Sequence, residues 1–73
     1  MAENINNSIK VWRAARDMTQ EELARRVGVT RQTIIAIEKN RYAPSLELAF
    51  RIARVFGESV ENVFRYEEGG EAR

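Results

Sequence analysis

Residues 19–40, TQEELARRVGVTRQTIIAIEKN, leave a short chain little choice of fold, because they hold two helical apolar periodicities around a central glycine, only about three residues apart. Leu23, Ala24 and Val27 share one face of the first helix, and Ile34 and Ile37 form the inward stripe of the second. Thr19 is placed to cap the first helix, and Glu22 completes a T-x-x-E capping box in which its carboxylate returns to the Thr19 amide. Gly28 stands where the chain must leave that helix in a left-handed conformation, and Thr30 can cap the next. Two helices joined this tightly make a helix-turn-helix.

The flanking sequence completes a small helical domain. Asn and Ser are favoured caps, so the first helix is expected to begin among residues 4–8 and to carry Ile5, Ile9 and Trp12 at helical spacing, with Trp12 in the core. Pro44 and Ser45 open a fourth helix whose apolar stripe is Leu46, Ala49, Ile52, Ala53 and Phe56, and Gly57 ends it. Ser59 caps a short fifth helix holding Val60, Val63 and Phe64, followed by Tyr66. The expected architecture is all-α, a compact bundle of five short helices forming one domain over residues 1–66, with an acidic and flexible tail, EEGGEAR, over residues 67–73.

Composition narrows the chemistry. With 73 residues, 44% of them hydrophobic and 32% charged, the chain has room for one soluble globular domain and a modest core. There is no cysteine and no histidine, so thiolate metal sites, disulfides and the usual general base are missing. No Gly-rich phosphate loop accompanies the carboxylates, which predicts that the chain is not an enzyme and takes no metal or cofactor. No small-molecule pocket is evident. The apolar runs are far shorter than the roughly 20 residues needed to cross a bilayer, and no leader pattern is present, so the expected location is the cytoplasm.

The outward face of the second helix carries Arg31, Gln32, Ile35 and Ala36. These groups match the chemistry of the DNA major groove: Arg donates two hydrogen bonds to guanine, Gln pairs with adenine, and Ile or Ala meets a thymine methyl. Ile35 is unusual for a solvated face, where Lys, Glu or Ser would be expected, and suggests a surface that becomes covered. Residues 10–54 hold ten basic side chains against five acidic ones, whereas the segment from Val55 onward is net negative, so phosphate attraction concentrates around the two helices. Lys39, Arg41 and Tyr42 directly follow the second helix, where chain ends meet the sugar-phosphate backbone.

Four signals in register, the T-Q-E-E-L-A opening, the Gly28 turn, the I-x-x-I-E ending at Glu38 and the P-S-L-E-L-A entry at Pro44, resemble the Xre family, the Cro and cI repressor type of helix-turn-helix, over about residues 5–64. The resemblance implies a lambda-repressor-like domain with the helix from about Thr30 to Lys39 in the major groove of an operator. Arg31, Gln32, Ile35 and Ala36 would read bases, and Gln20, Thr30, Thr33, Lys39, Asn40, Arg41 and Tyr42 would meet the backbone. It also implies a partly buried ion pair between Arg13 and Glu38. Three positions depart from the family pattern. Lys39 replaces a phosphate-contacting Asn and acts as a mobile point charge, and Asn40 replaces a turn glycine whose left-handed geometry Asn can adopt. At Ala36, methyl contact replaces the longer polar side chain of many relatives.

Helix-turn-helix repressors usually read two half-sites with a two-fold pair of copies, and Val60, Phe64 and Tyr66 are the candidate homodimer contacts. A second reading is an antitoxin-type DNA-binding protein that also engages a protein partner.

Overall fold

The computed structural model describes residues 5–67. Its elements, in chain order, are β1 (Ile5–Asn7), α1 (Ile9–Ala15), α2 (Gln20–Val27), α3 (Arg31–Glu38), α4 (Leu46–Phe56), α5 (Val60–Val63) and β2 (Phe64–Tyr66). The five short helices are those expected. The addition is a two-stranded antiparallel sheet that pairs Ile5 with Tyr66, Asn6 with Arg65 and Asn7 with Phe64. The expected flexible tail falls mostly outside the described residues.

The helix boundaries follow from side-chain caps. Thr19 Oγ1 accepts from the Glu22 amide at 3.0 Å, Thr30 from the Thr33 amide at 3.2 Å, and Ser45 from the Leu48 amide at 3.1 Å, each satisfying an amide with no partner inside its helix. The capping box at Thr19 is one-sided, because the Glu22 carboxylate pairs forward with Arg26 at 2.7 Å. α2 ends at Gly28, with φ of 82°, in the left-handed region that favours glycine.

Helix 1 begins later than the sequence suggested. Ile5 lies in β1, and α1 opens at Ile9, whose amide donates to Asn7 Oδ1 at 3.1 Å while the Ser8 side chain makes no cap bond. Asn6 and Asn7 are poor helix formers that bond backbone and neighbours readily, and here they serve tertiary contacts instead.

The core is built from Ile9, Leu23, Val27, Ile34, Ile37, Ile52, Phe56 and Val63 with smaller neighbours, and it contains no buried polar residue among the described ones. Trp12 packs against this core, its ring 6.4 Å from that of Phe56. Two expected positions shift. Leu46 is 72% exposed, and Leu48 takes its inward place. The reason is helical phase: Leu48 lies four residues before Ile52, whereas Leu46 and Phe50 fall on the opposite side of α4. Phe64, expected on an association surface, is buried at the start of β2. No helix among the described residues is long and apolar enough to cross a membrane.

Candidate nucleic-acid interface

α3 is presented by its neighbours on three sides. Ile34 and Ile37 are buried beneath it, so the helix is fixed in rotation about its own axis. Arg31 and Gln32 stand exposed on its first turn, and neither has a hydrogen-bond or ion-pair partner among the described residues. Thr30 is exposed beside them. Thr33 is half-buried, its hydroxyl 3.1 Å from that of Thr30. Ile35 and Ala36 are half-buried, so each offers a partial apolar surface and not a fully projecting side chain.

The far end of α3 is locked by an ion pair. Arg13 on α1 donates from Nε to Glu38 Oε2 at 2.7 Å and from Nη2 to Oε1 at 3.2 Å, a bidentate arrangement, while its Nη1 donates to the Met18 carbonyl at 2.9 Å. Gln20, the first residue of α2, donates from Nε2 to Glu38 Oε1 at 3.1 Å. One carboxylate thus joins α1, α2 and α3. Only 14% of the Arg13 side chain and 8% of the Glu38 side chain are exposed.

Beside this knot lies a cleft of about 350 Å³ lined by Lys10, Gln20, Ile35 and Lys39 along with Asn7 and the ion pair. Gln20, Ile35 and Lys39 were expected at the DNA surface, and the fold brings them together. Lys10 was not expected there. Its signal was present, since Lys10 precedes Arg13 by one helical turn and shares its side of α1. Arg13, Arg26 and Arg51 are each paired with a carboxylate, whereas Lys10, Arg31, Lys39 and Arg41 have no such pair among the described residues.

Asn40 takes a different role from the expected backbone contact. It adopts φ of 60°, and its side chain turns toward β1: Nδ2 donates to Asn6 Oδ1 at 2.7 Å, and Oδ1 accepts from Asn7 Nδ2 at 3.1 Å. Asn7 Nδ2 also donates to the Ile37 carbonyl at 2.8 Å. Three amides therefore tie β1 to the end of α3. Sequence reasoning missed this brace, because three residues of strand carry too little periodicity to be recognised. Arg41 and Tyr42, just beyond it, are exposed.

The brace gives a graded prediction. Asn40→Gly is expected to lower the thermal midpoint by removing the amide bonds alone. Asn40→Ala should lower it further, because a Cβ in the left-handed region costs roughly 1–2 kcal/mol. Thermal unfolding followed by circular dichroism checks the order, and equal midpoints for the two variants would remove the backbone part of the argument.

The sequence model of the helix-turn-helix family matches residues 9–63, from the first residue of α1 to the last of α5. The chain belongs to the Cro/cI-type helix-turn-helix family. This helix-turn-helix regulator is 55% identical over 64 residues to an uncharacterized HTH-type transcriptional regulator of Methanocaldococcus jannaschii, covering 88% of the chain and 97% of that relative. It is 60% identical over 63 residues to another in Methanothermobacter thermautotrophicus, covering 85% of the chain and 91% of the relative. A transcriptional repressor of a cryptic phage in Vibrio cholerae, RstR, is 36% identical over 52 residues, with 71% of the chain and 47% of that protein covered. Among solved structures, a putative DNA-binding protein from Bacteroides fragilis superposes with a TM-score of 0.75 at 26% identity, covering 84% of the chain and 98% of that structure. The helix-turn-helix regulator is a DNA-binding transcriptional regulator and not an enzyme.

Proposed function

We propose that the protein is a sequence-specific repressor that reads double-stranded operator DNA with α3 in the major groove, acting as a homodimer in the cytoplasm. The observation that carries this reading is the state of Arg31 and Gln32, two donors exposed at the entry end of a rigidly held helix and without side-chain partners among the described residues. Arg31 and Gln32 read base edges by hydrogen bonds, and Ile35 and Ala36 contribute apolar contact to thymine methyls. Lys10, Gln20, Thr30, Thr33, Lys39, Arg41 and Tyr42 meet the sugar-phosphate backbone, and Asn40 holds the helix end. Repression follows from occupancy: a domain seated on its operator denies that duplex to other proteins. The likeness to the Vibrio phage repressor supports this direction of control.

Selection from a random duplex library at about 150 mM salt tests the proposal, since a specific site binds about 10³ to 10⁷ times more tightly than bulk DNA. Enrichment of a two-fold-symmetric motif is the expected outcome, and a pool without a motif would overturn it.

The charge assignment makes a separate prediction. Lys39→Ala is expected to weaken operator and non-operator duplexes alike and to lower the slope of log affinity against log salt by about 0.9, the value for one lost phosphate contact. A fluorescence-anisotropy titration across salt concentrations measures the slope, and an unchanged slope would remove Lys39 from the phosphate contacts.

A further inference from the structure

The end of α2 and the second half of α4 enclose an open cleft of about 500 Å³ that is strongly basic. Arg25 and Arg26 line it from α2 and Arg51 and Arg54 from α4, with Val27 and Val55 completing the walls. All four arginines are exposed. Arg26 pairs with Glu22 and Arg51 with Glu47, whereas Arg25 and Arg54 have no carboxylate partner among the described residues. Four guanidiniums thus stand against two carboxylates, and positive charge remains in excess. Arg51 also donates from Nη1 to the Val27 carbonyl at 3.3 Å, which ties α4 to the end of α2 and holds the two sides of the cleft together. We propose that this cleft takes up phosphates of the duplex beyond the base pairs that α3 reads, so that flanking DNA bends toward α2 and α4; this rests on the proposed reading of operator DNA.

The grouping of charge calls for an anion. Attraction to the carbonyl end of α2 accounts for Arg25 and Arg26 on that helix, yet α4 adds Arg51 and Arg54 to the same space, and like charges gathered this way repel unless an anion lies among them. The planar guanidinium fork matches phosphate oxygens. Three observations favour DNA over an acidic protein as the source of that anion. Arg51 lines a second cleft with Val29, Tyr42 and Ser45, so the basic ridge runs without a break into the segment after α3. Gly28, in the wall of the first cleft, lies two residues before Thr30, the cap of α3, so the ridge begins at the entry end of the helix that carries Arg31 and Gln32. The apolar part of the lining is slight, since Val27 is buried and Val55 half-buried. A protein partner needs an apolar core to its contact, whereas a phosphate backbone is held by charge with counterions released. The bend that brings the flanks to the ridge depends on base-step flexibility, which extends sequence preference to base pairs that no side chain touches.

Duplex length separates this contact from the reading of bases. Anisotropy titrations of the full chain compare a duplex that ends at the selected motif with the same motif extended by about one helical turn, roughly ten base pairs, at each end. Arg25→Ala/Arg54→Ala is expected to bind the short duplex like the wild type and the long one about 30-fold more weakly per bound copy at about 150 mM salt, with a salt slope smaller by about 1.8, the values for two lost phosphate contacts. Both side chains are exposed, so the circular dichroism spectrum should stay unchanged. Glu47→Gln frees Arg51 of its carboxylate and is expected to tighten the long complex more than the short one, a gain that a damaged fold cannot produce. Equal losses at both lengths would place Arg25 and Arg54 within the read site, and no loss at either would leave the cleft to an acidic protein or to solvent; each result overturns the proposal. Failure of the operator reading looks different: a selection without a motif removes the operator, while scrambled duplexes of the two lengths still report the flanking contact through the same comparison.

Discussion

Replacing Glu38 by alanine is expected to lower the unfolding free energy of this domain by about 3 kcal/mol or more, a large part of the roughly 5–15 kcal/mol that holds a small protein folded. Glu38 accepts three hydrogen bonds, two from Arg13 and one from Gln20, and its side chain is 8% exposed. Its loss leaves a guanidinium facing the interior with the Met18 carbonyl as its remaining partner. The cost arises from that stranded charge more than from the value of the pair. Glu38→Gln should lose less, since it keeps the shape and one acceptor. The double variant Arg13→Ala/Glu38→Ala should lose less than the sum of the two single changes, because neither charge is then left alone. Glu22→Ala supplies the internal comparison. It breaks the more exposed pair with Arg26 and should cost about 0–1 kcal/mol. Urea unfolding at neutral pH measures all five variants, and a Glu38→Ala cost no larger than that of Glu22→Ala would show that burial of the pair contributes nothing.

The second large effect concerns DNA alone. Arg31→Ala/Gln32→Ala is expected to reduce operator affinity on the order of 10²-fold to 10⁴-fold, since each bidentate base contact contributes about 1–3 kcal/mol of discrimination and the two losses compound. Both side chains are exposed, so thermal stability should not change. Binding to a scrambled duplex should fall much less, because Lys10, Lys39 and Arg41 remain to attract phosphates. Anisotropy titrations on matched and scrambled duplexes give the ratio. A parallel loss on both duplexes would mean that these residues act as charges and not as readers of sequence.

The consequences of the two variants separate because the site has two layers. Arg13, Gln20 and Glu38, with the amides of Asn6, Asn7 and Asn40, decide where α3 stands. In the proposed reading, Arg31, Gln32, Ile35 and Ala36 decide what it meets there. A defect in the first layer should appear in stability and binding together, and a defect in the second should appear in binding only. Asn40 belongs to the first layer, although the sequence suggested a contact with the DNA backbone.

How far the sequence reached follows from the range of the forces involved. Caps at Thr19, Thr30 and Ser45 and the left-handed turns at Gly28 and Asn40 depend on atoms within about four residues, so local sequence determined the bounds of α2 and α3, the start of α4 and the helix-turn-helix. The inward stripes of α2 and α3 were legible from periodicity for the same reason, and the partnership of Arg13 and Glu38 followed from the family resemblance. What only the tertiary structure decided are features that join distant segments. Ile5 pairs with Tyr66 at the other end of the domain, and an isolated three-residue strand has no stability that its own sequence could announce. Leu46 and Leu48 are equally apolar, and only the rotation of α4 against the core selects which is buried. Phe64 is core where β2 pairs with β1, and Lys10 lines the cleft beside α3 because Arg13, one turn along the same helix, is anchored to Glu38. Local chemistry determined the helix-turn-helix of this protein; long-range packing decided how α3 is held and which apolar face is left uncovered.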